Sequence, residues 1–118
     1  MSVAPEELVA WVKAFAFTQA VEAPIYRRLV PASWRLALAA SAITHPFVWF
    51  AFPRVGEALE LGWTATAIAS EGFAVAVEAA FFRRLCGVSF RRAALVSLLA
   101  NGASVGLGLF VRHTFGLV

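Results

Sequence analysis

Five side chains carry the chemistry open to this sequence: Glu22, His45, Glu71, Glu78 and Asn101. Each stands inside an apolar stretch, where an ionisable residue is costly and marks a functional site by default. Carboxylates, an imidazole and an amide are hard-to-borderline donors, suited to a proton or to Zn²⁺, Mn²⁺ or Fe²⁺ more than to Cu(I). Two carboxylates brought close together can share a proton. A glutamate or a histidine can also serve as a general acid or base. Thr18, Gln19, Ser41, Thr44, Ser97 and Ser104 stand beside these five as supporting polar groups. The bundle-core spacing Glu-x-x-His and the H-E-x-x-H motif are both absent, and the chain has one cysteine, Cys86. A bound divalent cation such as zinc would therefore draw its ligands from Glu22, His45, Glu71 and Glu78 on separate segments. No nucleophile is placed by any motif.

The polar residues share faces. Thr18 and Glu22 are four apart, as are Ser41 and His45. Glu71 and Glu78 are seven apart, and Ser97, Asn101 and Ser104 follow at four and three. At 100° per residue each set falls on one side of a helix. One polar stripe in each of four helices implies a polar bundle interior and a lipid-facing exterior.

An internal repeat orders these segments. Val21-Glu22-Ala23 returns as Val77-Glu78-Ala79, and Arg27-Arg28-Leu29 as Arg83-Arg84-Leu85, 56 residues later. Over residues 21–46 against 77–102 there are ten identities in 26 positions without a gap. Glu22 and Glu78 are thus repeat mates, as are His45 and Asn101. A repeat of this period sets the architecture. Duplication accounts for the paired VEA triplets, which topology alone would not produce.

Composition supplies the setting. Hydrophobic residues make up 61% of the 118 and charged residues 14%, with no Asp. A soluble domain carries about 25% charged residues, so this chain has too little polar surface for water. Four apolar segments, near residues 8–26, 34–53, 61–82 and 93–111, approach the ~20 residues a spanning helix needs. The expected links are residues 27–33, 54–60 and 83–92. The first and third carry Arg27, Arg28, Arg35, Arg83, Arg84, Arg91 and Arg92, whereas the second has only Arg54. The positive-inside rule puts the first and third in the cytoplasm, with both termini outside. Glu6 and Glu7 stand where the basic region of a signal peptide would be.

The fold expected is an all-α membrane protein. Four transmembrane helices form two tandem hairpins of the same orientation (repeat 1 about residues 8–53, repeat 2 about 61–111), packed as a pseudo-twofold bundle. Counting ~1.5 Å per residue from the inner boundary puts Glu22 and Glu78 roughly 6 Å deep, Asn101 about 12 Å, and His45 and Glu71 about 16 Å. Bland alternatives exist for each. Glu22 and Glu78 would reach Arg27 and Arg83, Glu71 would pair with Lys13, and His45 would bond a carbonyl freed by Pro46.

The partners expected are the lipid bilayer of a bacterial inner membrane, anionic headgroups at the arginine-rich loops, and further copies of the chain through Gly102-x-x-x-Gly106. No nucleic acid is expected, because the net charge of +3 reports topology. In length and helix count the chain is similar to the small multidrug-resistance exporters, which also carry a glutamate in the first helix. Here that glutamate stands near the helix end, the repeat is parallel, and the third helix adds two more. The leading function is transport or permeation of a proton, cation or small polar solute. The alternatives are a membrane-embedded enzyme acting on a lipid or quinone, and a structural subunit of a membrane complex.

Overall fold

The computed structural model describes residues 3–115 and contains four helices with no strand among them. They are α1 (Pro5–Leu29), α2 (Trp34–Ala58), α3 (Trp63–Cys86) and α4 (Phe90–Phe115). Three of them, α2, α3 and α4, are long and apolar enough to cross a membrane. At ~1.5 Å rise per residue, helices of this length exceed the ~30 Å of a hydrocarbon core. The first helix is as long, with 25 residues, but Lys13, Gln19 and Glu22 lower its mean hydropathy.

All four helices outrun the segments marked by apolarity. Arg27 and Arg28 form the last turn of α1, and Arg83 and Arg84 that of α3. Cations there complement the partial negative charge of the helix C-terminus, so a boundary drawn at the first arginine falls short. The stretch 54–60, expected as a loop, is helical to Ala58. Helix α2 is not uniform: α-helical from Trp34 to Pro46, it widens to a π-helix over Phe47–Ala51 and closes as α-helix over Phe52–Ala58. Pro46 supplies no N–H and frees a carbonyl one turn back, where a change of pairing is cheapest.

The starts of α2 and α4 are capped in the same way. Ser33 Oγ accepts from the Leu36 N–H at 3.2 Å, and Ser89 Oγ from the Arg92 N–H at 3.1 Å, again 56 residues apart. Gly87 ends α3 at φ +69°, a conformation that favours glycine. Gly56 lies against α3 so closely that a Cβ there would overlap the Thr66 side chain.

The helices form a ring in chain order, α1 against α2, α2 against α3, α3 against α4, and α4 against α1. Across it, Tyr26 of α1 packs on Phe82 of α3 with ring centroids 4.5 Å apart and the rings tilted by 49°, both fully buried. These two are also 56 apart, as are the buried pairs Ala23/Ala79, Ala37/Ala93 and Ser41/Ser97. Alanines dominate the apolar core at the arginine-rich end, letting the helices approach closely. The outer surface presents Leu38, Ile43, Ile68, Leu98, Leu107 and Phe110, while Glu22, Glu78, Ser97 and Asn101 are buried. Apolar outside and polar inside is the pattern of a bundle whose solvent is lipid.

Candidate functional site

Above the alanine core the polar stripes meet. Glu22 Oε1 accepts from Ser41 Oγ of α2 at 2.6 Å, and Oε2 from Ser104 Oγ of α4 at 2.5 Å. Glu78 Oε2 accepts from Thr44 Oγ1 of α2 at 2.6 Å. Its Oε1 accepts from the Tyr26 hydroxyl of α1 and from Asn101 Nδ2 of α4, the latter at 3.2 Å. Ser41 and Thr44 are three residues apart, so both carboxylates are held against one turn of α2. Each is bound by both hairpins.

The donors around the two carboxylates are all neutral. Glu22 is 2% exposed and Glu78 1%, and neither has a basic partner. Among the described residues the one ion pair is Arg54–Glu7, at 2.9 Å, which ties α2 to the start of α1. The pairs Glu22–Arg27, Glu78–Arg83 and Lys13–Glu71 do not form. Arg27 instead stacks over Trp34, 5.1 Å from the ring centroid, and Lys13 is exposed.

Two hydroxyls stand between a carboxylate and a backbone carbonyl. Ser104 Oγ is 2.5 Å from Glu22 Oε2 and 3.0 Å from the Asn101 carbonyl. Thr44 Oγ1 is 2.6 Å from Glu78 Oε2 and 3.4 Å from the Ser41 carbonyl. A hydroxyl has one hydrogen and can also accept. With the carboxylate ionised, it donates to the carboxylate. With the carboxyl protonated, it accepts from the acid and donates to its own helix. Either state is held by rotation about one bond.

A small cavity of about 70 Å³ adjoins this network. Glu22, Ser41, Thr44, His45, Glu71, Asn101 and Ser104 line it together with Thr18, Val48, Ala74 and Val105. It has room for a few water molecules or one largely dehydrated ion. Glu71 is half-buried on its wall and makes no hydrogen bond or ion pair among the described residues. Asn101 Nδ2 must face the Ser97 carbonyl, 2.8 Å away, which fixes the amide orientation and leaves Oδ1 as an unpaired acceptor.

His45 is turned away from the carboxylates. Its Nδ1 accepts from the Trp11 indole N–H at 2.9 Å, and its Nε2 lies 3.2 Å from Thr18 Oγ1. Indole is a donor only, so Nδ1 carries the lone pair and the neutral ring bears its proton on Nε2. Phe15 and Trp49 flank the ring, with centroids 5.3 and 6.2 Å away.

The geometry departs from expectation at His45, whose nitrogens meet Trp11 and Thr18 and not a carboxylate or a carbonyl freed by Pro46. Glu22, His45, Glu71 and Glu78 are not gathered into one cluster. Among the described residues no three His, Cys, Asp or Glu side chains converge as metal ligands. The reason is local: the imidazole nitrogens face Trp11 and Thr18, and the oxygens of Glu22 and Glu78 are taken by hydroxyl, phenol and amide donors.

Glu22, His45, Glu71 and Asn101 share the cavity, whereas Glu78 does not line it and is joined to it through Thr44 and Asn101. Thr18, Ser41, Thr44, Ser97 and Ser104 all enter the network. Gln19 does not; its Nε2 donates to the Leu38 carbonyl at 2.8 Å. Tyr26 and Trp11 were missed. Tyr26 is the chain's one tyrosine, four residues after Glu22, and that i+4 spacing was the available signal.

Comparison of the chain with protein-family models, with curated proteins and with solved structures gives no match. Fold and site together define an all-helical membrane protein with glutamates buried in its interior.

Proposed function

We propose that this chain is a four-span membrane protein that passes a proton or a small monovalent cation through the paired carboxylates of Glu22 and Glu78. One observation carries the reading: both carboxylates are buried at the bundle centre with only neutral donors around them. An ionised carboxylate within a membrane costs about 2.5–3.5 kcal/mol on insertion scales. Interhelical hydrogen bonds in bilayers average only about 0.6 kcal/mol each, so two or three neutral donors do not offset two negative charges. Charge balance requires a proton or a cation at the site. The Ser104 and Thr44 hydroxyls suit both states, and the small cavity admits a proton or bare ion more readily than a bulky solute.

The same reading makes the two hairpins products of duplication, with the arginine-rich loops in the cytoplasm and both termini outside. The matching serine caps and the Tyr26/Phe82 contact support it. Further copies pack through Gly102 and Gly106, where a Cβ would meet nothing within 4 Å. Anionic headgroups bind at the arginines.

The test is flux into vesicles containing the purified full chain, read with an internal pH dye and with sodium and potassium indicators under an imposed potential. Wild-type protein should carry at least one of the three ions. Glu22→Gln and Glu78→Gln should keep the fold and lose the flux. Vesicles as tight as protein-free controls to all three ions would overturn the proposal.

A further inference from the structure

The carboxylate cavity has two neighbours, and each shares one boundary residue with it. An apolar groove of about 530 Å³ between α3 and α4 touches it at Glu71. Ala67, Ile68, Val75 and Leu98 line that groove, and Glu71 is its one polar side chain. In a bilayer such a groove takes an acyl chain. The second neighbour is a vestibule of about 370 Å³ at the end of the bundle where α2 meets α3. Glu57 stands exposed at its rim, and Thr66 and Ser70 follow along its wall. Val48 lines both the vestibule and the cavity.

Three polar side chains, Glu57, Thr66 and Ser70, stand in the vestibule among Pro53, Leu61, Trp63 and Ala67, and Val48 is the residue it shares with the polar cavity. Arg54, the nearest cation on α2, is already paired with Glu7 and does not cancel Glu57. The boundary between vestibule and cavity is therefore a single shared side chain, Val48. That side chain sits on the π-helical turn Phe47–Ala51, directly after Pro46. A π turn holds an extra residue, and its return to α pairing turns the flanking segments by about 100° relative to one another. The barrier is thus carried by the part of α2 with two alternative pairings.

We infer that the vestibule behind Glu57 is the aqueous access route to the carboxylate cavity, and that Val48 is the residue that closes it. The inference rests on the proposed passage of a proton or cation and names its path. Three polar side chains in the vestibule, against Glu71 alone in the groove, select the vestibule, because a hydrated ion loses fewer water contacts there.

The experiment is cysteine accessibility in the full chain, reconstituted in vesicles, after Cys86→Ser removes the native thiol. Ser70→Cys reports the vestibule, and Ala74→Cys, one turn further along α3, reports the cavity. The probe is silver ion supplied from the aqueous phase, read as protection of the thiol from later alkylation in denaturant. Ser70→Cys should react readily with either residue at position 48. Ala74→Cys should react slowly with Val48 present and at least about tenfold faster with Val48→Ala. Val48→Ile, which keeps a branched side chain and the fold, should slow it further.

Equal rates at Ala74→Cys in all three backgrounds would overturn the role of Val48. An inert Ser70→Cys would overturn the aqueous vestibule. Reaction of Ala74→Cys with a bilayer-dissolved maleimide but not with silver would assign access to the groove beside Glu71. Flux that depends on Glu22 and Glu78 while Val48 leaves accessibility unchanged refutes the path and keeps the proposed function. Val48-dependent accessibility without flux does the reverse.

Discussion

Replacing Tyr26 by Phe isolates one hydroxyl. The ring stays, and with it the tilted contact with Phe82 at 4.5 Å, so no cavity opens. The Tyr26 hydroxyl donates to Glu78, accepts from Asn101 Nδ2 at 3.3 Å, and lies 3.3 Å from Ser97 Oγ. Hydrogen bonds between membrane helices measured by double-mutant cycles average about 0.6 kcal/mol and reach about 1.7. A bond to an ionised acceptor in a soluble protein contributes about 1.5–3 kcal/mol. A fully buried phenol with a carboxylate partner belongs near the top of the membrane range, so Tyr26→Phe should cost about 1.5 kcal/mol, roughly a tenfold change in the unfolding constant. Tyr26→Ala also opens a void and should cost about 3–5 kcal/mol. The assay is reversible unfolding in mixed micelles by titration with a denaturing detergent. Crossing Tyr26→Phe with Glu78→Gln should give a coupling energy of about 1 kcal/mol. A Tyr26→Phe protein as stable as wild type, with no coupling to position 78, would refute the reasoning.

Four further outcomes follow from the same geometry. Cation uptake by vesicles should fall as pH is lowered, because protons compete for the same carboxylate oxygens; uptake independent of pH contradicts a shared site. Trp11→Phe leaves His45 Nδ1 without its donor and should destabilise by about 1–2 kcal/mol in the same micelle titration, whereas Trp63→Phe, on an exposed residue, should not. Gly56→Ala forces a Cβ onto the Thr66 side chain and should cost about 1–3 kcal/mol, with partial recovery on adding Thr66→Gly. Reporter fusions after Arg28 and Arg84 should read cytoplasmic and those at Glu57 and the C-terminus external; a cytoplasmic C-terminus reverses the orientation.

Much of the site was legible because helical periodicity is a strong constraint. Thr18 with Glu22, Ser41 with His45, and Ser97 with Asn101 and Ser104 were each placed on one face by spacing alone, and those faces do meet. Helix ends were less legible. Hydropathy stops at Arg27 and Arg83, but backbone hydrogen bonding continues through them, since a terminal cation favours the helix that carries it. The π turn left no mark beyond Pro46, because pairing in an apolar run depends on what packs against it.

By itself the sequence determined the apolar character of the chain, the number of helices and the polar face of each. These follow from composition, segment length and periodicity, all local properties of the chain. Only the tertiary structure decided which donor each acceptor meets. A face specifies a direction within about a quarter turn, but a hydrogen bond requires a partner within about 3 Å. That match depends on ring order, relative height and rotamer. So Glu78 meets Tyr26 and Thr44, and His45 turns to Trp11 instead of a carboxylate. Val48 falls between two cavities because a π turn, set by packing, carries it there.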